Sequence, residues 1–434
     1  MREVEDEPLF IDRVAGLDIG KKEIEVTIRV PGDSGSGRRM SETRTFGATR
    51  AELLKLADWL RCWSVGTVGM EATGDYWKPP FFVLEAEGFD CLLYNAGQVK
   101  ALPGRPKTDR ADSIWLAKIT ERGMIVSSFV PPEPIRRLRT HTRYRRSLVQ
   151  ARTAEMQRVE KLLEDAHLKL SSVASKLFTE SGRAMMDAIV AGQRDPKVLA
   201  QLARGRMRSK ITALEEALDC SFLSEEHVAV LTMMLATIDH HQRQIATLTA
   251  AIEQLIEPYA RQVEQLDEVP GIGTIGAADI IAEIGVDMRV FTTASHLVSW
   301  AKFAPQVKQS AGKRKGGNAT GRGNPYLGAA LGEAAIGAGR TQSFLGARYR
   351  RLNRRMPKKK ALVATGNSQL VIIHALLSDP EARYTDLGAD YYETRMHVRR
   401  QARNHVKGLE RLGYKVTIEA MAPDENHLPV TPTR

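Results

Sequence analysis

The feature that most restricts how this chain can fold is an aspartate set inside an apolar run. Asp18 lies in Val14-Ala-Gly-Leu-Asp-Ile-Gly20, and the alternation Ile24-Glu-Val-Thr-Ile28 that follows reads as the return strand of a hairpin. A carboxylate is thereby placed in the middle of a sheet, where it is costly unless something neutralises it. A second apolar run, Val65-Gly-Thr-Val-Gly-Met-Glu71, closes on Glu71 and passes into the small, turn-prone Ala72-Thr-Gly-Asp75. Glu71 should therefore emerge at the C-terminal end of a strand, where open α/β sheets place their ligands. The third piece, Lys107-Thr-Asp-Arg-Ala-Asp112, leads into the apolar-periodic Ile114-Trp-Leu-Ala-Lys-Ile119. Asp109 and Asp112 then form an i,i+3 pair on one face at the start of a helix.

Carboxylates brought together repel one another, so a converging set is tolerated mainly around a cation. Oxygen ligands of this hardness favour Mg²⁺ or Mn²⁺. The order strand, strand, helix is the metal-site layout of ribonuclease H-like nucleases, and it predicts an α/β domain of that kind over residues 1–130, ended by Phe129-Val-Pro-Pro-Glu-Pro134. Within it Ser34-Gly-Ser-Gly-Arg-Arg39 reads as a hairpin tip and Tyr94-Asn-Ala-Gly97 as a strand-to-loop exit. The basic stretch Lys100 to Lys107, with Arg105 and Lys107 nearest the acidic pair, is placed to hold a phosphate beside the metal.

From 131 to 265 strand signals nearly vanish, and two long apolar stripes appear: Leu148, Met156, Val159, Leu162 and Leu163, then Leu231, Leu235, Ile238, Ile245, Leu248, Ile252, Leu255 and Ile256. They predict a helical, coiled-coil-like insertion that packs either internally or on a second subunit. Arg143-Tyr-Arg-Arg146 at its start is basic with an interleaved tyrosine, a pattern that suits either a phosphate backbone or a solvated face. A mainly α domain is expected over 266–380, opened by Val269-Pro-Gly-Ile-Gly273 and a helix after it. This resembles a helix-hairpin-helix element, whose glycine turn lets backbone N–H groups approach phosphate.

Downstream, Gln309-Ser-Ala-Gly-Lys-Arg-Lys315 places a serine among glycines and cations, and Arg322 follows. Glycine permits close backbone approach, while Lys313, Arg314 and Lys315 would offset charge developing on an attacked phosphodiester. Serine is a weak nucleophile unless something takes its proton. No histidine lies nearby in sequence, which leaves a carboxylate of the first domain or a hydroxide on the metal. The basic runs Arg348-Tyr-Arg-Arg351, Arg354-Arg355 and Lys358-Lys-Lys360 extend the same electropositive character. The remainder, 381–434, reads as a charged tail, disordered at its proline-containing end.

These motifs together resemble the transposases of the insertion-sequence-110 family, DEDD transposases with a RuvC-like N-terminal domain. The match is carried by Gly16-Leu-Asp-Ile-Gly20, Met70-Glu-Ala-Thr-Gly74, Lys107-Thr-Asp-Arg-Ala-Asp112, Val269-Pro-Gly-Ile-Gly273, Gln309-Ser-Ala-Gly312 and Gly323-Asn324, in the family's order across most of the chain. One departure is that Ala311 stands between the serine and the glycine that usually follows it directly. The resemblance implies metal held by Asp18, Glu71, Asp109 and Asp112, with Ser310 attacking DNA to form a transient covalent link. It further implies donor and target DNA read through a non-coding bridge RNA, and a homo-oligomer, a tetramer built as a dimer of dimers, in which the serine of one subunit meets the carboxylates of another.

The formal net charge of +11 fits a polyanionic partner, and also a membrane surface. No apolar stretch approaches the roughly 20 residues of a membrane span, and the acidic N-terminus has no signal-peptide core, so a cytoplasmic, nucleoid-associated protein is expected. Cys62, Cys91 and Cys220 lack CxxC spacing and read as small buried residues, not zinc ligands. Two other readings compete. A hydrolytic junction nuclease needs only the carboxylates and leaves Ser310 unemployed. A basic architectural protein explains the charge but not the carboxylates.

Overall fold

The computed structural model describes residues 11–32, 39–102, 109–305, 309–310, 313–314, 320–394 and 398–417, with the backbone alone at 109–110, 309–310, 313–314, 393–394 and 398–401. Its contacts divide it into two compact units, residues 1–130 and 131–434.

In the first unit β1 (Val14–Ile19), β2 (Glu23–Pro31) and β3 (Arg39–Gly47) form an antiparallel meander. Helix α1 (Arg50–Cys62) then returns the chain so that β4 (Thr67–Glu71) lies parallel to β1. Helix α2 (Lys78–Ala86) does the same for β5 (Asp90–Tyr94), giving the order β3-β2-β1-β4-β5. The expected hairpin is present, with Asp18 opposite Glu25. Its tip, residues 33–38, lies outside the described residues. The side-chain period of two divides the sheet faces cleanly. Ala15, Leu17 and Ile19 join Ile24, Val26, Ile28, Val68 and Met70 under α1 and α2. Helix α1 starts at Thr49, whose side chain accepts from the Glu52 N–H, and it buries Leu53, Leu56, Ala57 and Leu60 at helical spacing. Each fully buried leucine contributes about 1.5–3 kcal/mol.

Tyr94-Asn-Ala-Gly97 departs from the loop exit expected of it. Asn95 caps a short helix, α3 (Ala96–Ala101), by accepting from the Gly97 N–H. Helix α4 (Asp109–Glu121) covers the opposite face of the sheet. A Cβ at Gly16 would stand 2.1 Å from the Ala117 amide nitrogen, and one at Gly69 would stand 1.9 Å from Thr120 Oγ1. Only glycine at these two strand positions lets α4 lie so near the sheet. Its far end is held by Glu121, 1% exposed, between the guanidiniums of Arg29 (3.0 Å) and Arg39 (2.5 Å). A buried carboxylate is tolerated there because both of its oxygens meet cations.

The second unit opens with α5 (Glu133–Asp165). Four short helices follow, α6 (Leu170–Val173), α7 (Glu180–Val190), α8 (Pro196–Ala200) and α9 (Ile211–Ala217), and then α10 (Glu225–Ile256). The two long helices pack on each other antiparallel, Arg145 bonding Thr249 and Arg152 reaching Gln242. The stripes therefore meet inside one chain: Leu148, Val159 and Leu163 are buried with Leu231, Leu235, Ile238, Ile245, Ile252 and Ile256.

Beyond them come α11 (Ala260–Asp267), α12 (Thr274–Ile284), α13 (Ala294–Trp300), a two-stranded ribbon of β6 (Gln309–Ser310) and β7 (Lys313–Arg314), α14 (Pro325–Ala338), α15 (Phe344–Asn353) and α16 (Lys358–Ser378). By length and composition α16 could cross a membrane, which corrects the sequence expectation that no stretch is long enough. It is a core helix here: Leu370, Ile373, Leu376 and Leu377 are buried, and α11, α13, α14 and α15 pack around it. The tail expected from 381 carries two helices, α17 (Tyr391–Thr394) and α18 (Val398–Arg411), and its proline-containing end lies outside the described residues. The cysteines also differ from expectation. Cys62, at the solvent end of α1, is exposed, and the other two are half-buried.

Candidate active site

Strand register and the direction of α4 bring Asp18, Glu71 and the first turn of α4 to one edge of the sheet. Gly16 pairs with Gly69 and Leu17 with Met70, so one further step along the parallel register sets Asp18 beside Glu71, about 5 Å apart at the usual strand spacing. Both fall on the face that α4 covers. That helix runs antiparallel to β1. Glu121 meets Arg29, opposite Val14 at the start of the strand, whereas Ser113 Oγ bonds Thr27 Oγ1, opposite Gly16, at 2.7 Å. Ser113 and Ala117 flank Gly16. Asp18 is two residues further, about 7 Å along the strand. An equal advance along α4 takes between about four and five residues, which ends on the turn holding Asp109 and Asp112.

Glu71 is 8% exposed, and Asp18 and Asp112 are half-buried. Among the described residues no group of three or more His, Cys, Asp or Glu is close enough to hold a metal ion. The side chain of Asp109 is outside the described residues, so the metal reading turns on that fourth position.

In the second unit Ser310 pairs with Lys313, and Gln309 with Arg314, across residues 311 and 312. The side chains of this ribbon are outside the described residues, and the loop that carries it begins and ends in a described neck, residues 301–305 and 320–324. A Cβ at Gly323 would meet the Ala301 carbonyl at 2.5 Å, so the outgoing end of the loop crosses directly over its start. The Phe303 carbonyl accepts from Asn367 Nδ2 at 3.2 Å, and Gly366 makes room for the Phe303 ring. On the outgoing side Asn324 caps α14, accepting from the N–H groups of Tyr326 (3.0 Å) and Leu327 (3.3 Å). The same amide donates through Nδ2 to Glu283 Oε2 at 2.5 Å.

Glu283, 1% exposed, anchors this neck. Arg143 grips it with two parallel bonds of 2.8 Å while stacking 4.4 Å over the Tyr326 ring. Arg139 donates to the carbonyls of Ala282 and Glu283, both at 2.8 Å. Burial pulls the Arg139 guanidinium down to about 10, against the opposing pull of Glu283, and it stays charged at neutral pH.

Two family models match this chain. One for DEDD transposases of the IS110 type covers residues 15–168, and one described as transposase of the IS116/IS110/IS902 family covers 263–350. The first spans the carboxylate edge and the second spans the neck and the ribbon. The chain belongs to the IS110 transposase family. It is also similar to a probable family 20 transposase of Pseudomonas aeruginosa, 26% identical over 319 residues, which is 72% of this chain and 83% of that protein. The transposase thus acts on DNA, and membership of a DEDD family implies dependence on a divalent metal.

Of the cations singled out in the transposase sequence, Arg105, Lys107 and Lys315 lie outside the described residues, and Lys313 and Arg314 are described by backbone alone. Arg322 is exposed. Arg143 is engaged by Glu283 and Tyr326 inside the fold, which gives it a structural task. Glu283 itself was missed. Its signal was of the same kind as that of Asp18, a single carboxylate in the apolar run Ile280-Ile-Ala-Glu-Ile284.

The predicted glycine turn joins α11 to α12. At Gly271, φ +90°, a Cβ would meet the Ala334 carbonyl at 2.1 Å, so this glycine is required for α14 to cross the turn. At Gly273 and Gly276 a Cβ would meet only ordinary contacts, Asp267 Oδ1 at 3.9 Å and Ile272 Cγ2 at 3.8 Å, and both glycines line a cleft of about 600 Å³ with Arg145, Arg146, Asp279 and Glu333.

Burial pushes the Asp279 carboxyl up to about 6, although Arg146 and Arg145 pull it down; Glu333 and Glu283 add to the rise. Its protonated form therefore stabilises the fold below pH about 4, and that contribution is lost as pH rises through about 6. Asp279→Asn is expected to raise the melting temperature at neutral pH and to flatten its fall across that window. An unchanged pH profile would show that Asp279 is solvated.

Proposed function

We propose that this transposase breaks and rejoins DNA strands through a metal site at Asp18, Glu71, Asp109 and Asp112 and a covalent link to Ser310. The observation that carries this reading is the common edge reached by Asp18, Glu71 and the first turn of α4. The strand order β3-β2-β1-β4-β5, an antiparallel meander extended by two parallel crossovers, supports a ribonuclease H-like assignment for the unit. Four carboxylates supply only hard oxygen donors, which suits Mg²⁺ or Mn²⁺. Such a cation, when bound, offsets the negative charge that gathers on the phosphate oxygens.

In this reading Ser310 Oγ attacks the phosphorus, forming one P–O bond while the bond to a strand oxygen breaks. The serine proton passes by way of an acceptor outside the loop to the departing strand oxygen, which leaves as a hydroxyl. Attack by the hydroxyl of another strand reverses the step and frees the serine, so the phosphodiester is conserved. Lys313, Arg314, Lys315 and Arg322 are suited to hold the phosphate, with Arg105 and Lys107 beside the carboxylates. Donor and target DNA are the substrates, a bridge RNA selects them by pairing, and the working form is a tetramer in the cytoplasm.

The test is recombination between donor and target plasmids with the flanking RNA supplied. Wild type should give recombinants and a covalent protein–DNA adduct, and Ser310→Ala and Asp18→Ala should each abolish recombination. Retained strand cutting in Ser310→Ala would replace this mechanism with metal-dependent hydrolysis.

A further inference from the structure

Four half-buried arginines of the second unit are spent on carboxylates. Arg139 and Arg143 serve Glu283, Arg146 serves Glu333, and Arg183 serves Asp239. The segment around the α15–α16 corner breaks this pattern. Between Arg340 and Ser378 the chain holds nine arginines and lysines and no aspartate or glutamate. Arg354, Arg355, Lys358, Lys359 and Lys360 are all exposed, and no ion pair joins any of them to a carboxylate among the described residues.

The corner is also concave. Arg350, Arg351, Arg354 and Arg355 line one wall of a cleft of about 770 Å³, and Asp390, Tyr392 and Asn404, from the α17–α18 region, line the other. Arg350 is engaged by the carbonyls of Gly339 and Thr341, so its role is to hold the turn before α15. Arg351 stacks 4.4 Å over Tyr392, whose hydroxyl accepts from Arg348 at 3.1 Å. Arg354 and Arg355 are left facing the opening. Helix α18 adds two exposed cations, Arg403 directly before Asn404 and Lys407 about one turn after it.

Like charges one turn apart, such as Arg350 with Arg354 and Arg351 with Arg355, each cost a few tenths of a kcal/mol. A polyanion in the cleft would remove that cost and release counterions. We propose that the cleft between α15 and α17–α18 is a binding groove for a nucleic-acid phosphodiester backbone, held by Arg351, Arg354, Arg355 and Lys358 to Lys360. It is separate in sequence from the ribbon that carries Ser310. The reading concerns binding alone, so it stands or falls independently of the serine mechanism.

The experiment measures binding of full-length protein to fluorescent duplex DNA, single-stranded DNA and single-stranded RNA against salt concentration. Changing Arg354, Arg355, Lys358, Lys359 and Lys360 together to glutamine should lower the slope of log affinity against log salt by about three to five for the strand that occupies the groove. Affinity for that strand at moderate salt should fall on the order of 10²-fold or more. The probe whose slope falls identifies the strand, and unchanged slopes for all three overturn the proposal. Should the fivefold variant lose its thermal transition, R354K/R355K against R354Q/R355Q decides. Charge retention should keep the wild-type slope, and equal slopes for the two pairs would overturn the groove.

Discussion

Glu71→Gln is expected to lower strand cleavage at least about 10³-fold while leaving the melting temperature within a few degrees of wild type. Glutamine keeps the shape of the side chain and one acceptor oxygen, so the strand end should pack as before. What it removes is a negative charge at the end of β4, one register step from the pairing of Leu17 with Met70 and on the face that α4 covers. A carboxylate that is 8% exposed in a fold has to be offset by a partner or by a cation. If Glu71 is structural, the substitution moves stability and spares cleavage. If it holds a metal, cleavage falls and stability does not. Cleavage assays and thermal melts on the same preparation separate the two, and a variant that still cuts within tenfold of wild type would remove Glu71 from the site.

The carboxylate edge was legible because it is written in short-range pattern. An aspartate in a period-two apolar run, a glutamate closing a second run and an i,i+3 pair before a 3.6-period run each describe a local element. The β1–β4 register then brings two of the elements together. What sequence did not show is what depends on contacts far along the chain. Gly16 and Gly69 were visible as motif letters, but their reason is the approach of Ala117 and Thr120 on α4, up to about a hundred residues away. The apolar run of α16 has the length of a membrane span, and only the helices packed around it show that it is a core element. Asn95 capping a helix instead of ending in a loop was a local misreading of Asn-Ala-Gly, a sequence that serves turns and N-caps alike. The neck of the serine loop was the hardest to see, because its anchor joins Arg143, Glu283 and Asn324 from three separate segments.

Glu283→Ala is the test of that anchor, and it is expected to destabilise the second unit by about 3–5 kcal/mol. The cost is larger than the loss of a few hydrogen bonds because it leaves two guanidiniums in the interior. Arg143 loses both of its 2.8 Å bonds, and Arg139, already drawn down to about 10 by burial, loses the one carboxylate that opposes that shift. Asn324 loses the acceptor for its Nδ2 while keeping its cap on α14. For a unit of this size a loss of that order lowers the melting temperature by on the order of 10 °C. Glu283→Gln should cost less, about 1–3 kcal/mol, because an acceptor oxygen remains for Arg143 and only the charge is removed. The milder variant is the informative one for function. If the neck positions the ribbon, folded Glu283→Gln should recombine DNA more slowly at saturating substrate, with its DNA affinity unchanged. Recombination at the wild-type rate would confine Glu283 to holding the helices together.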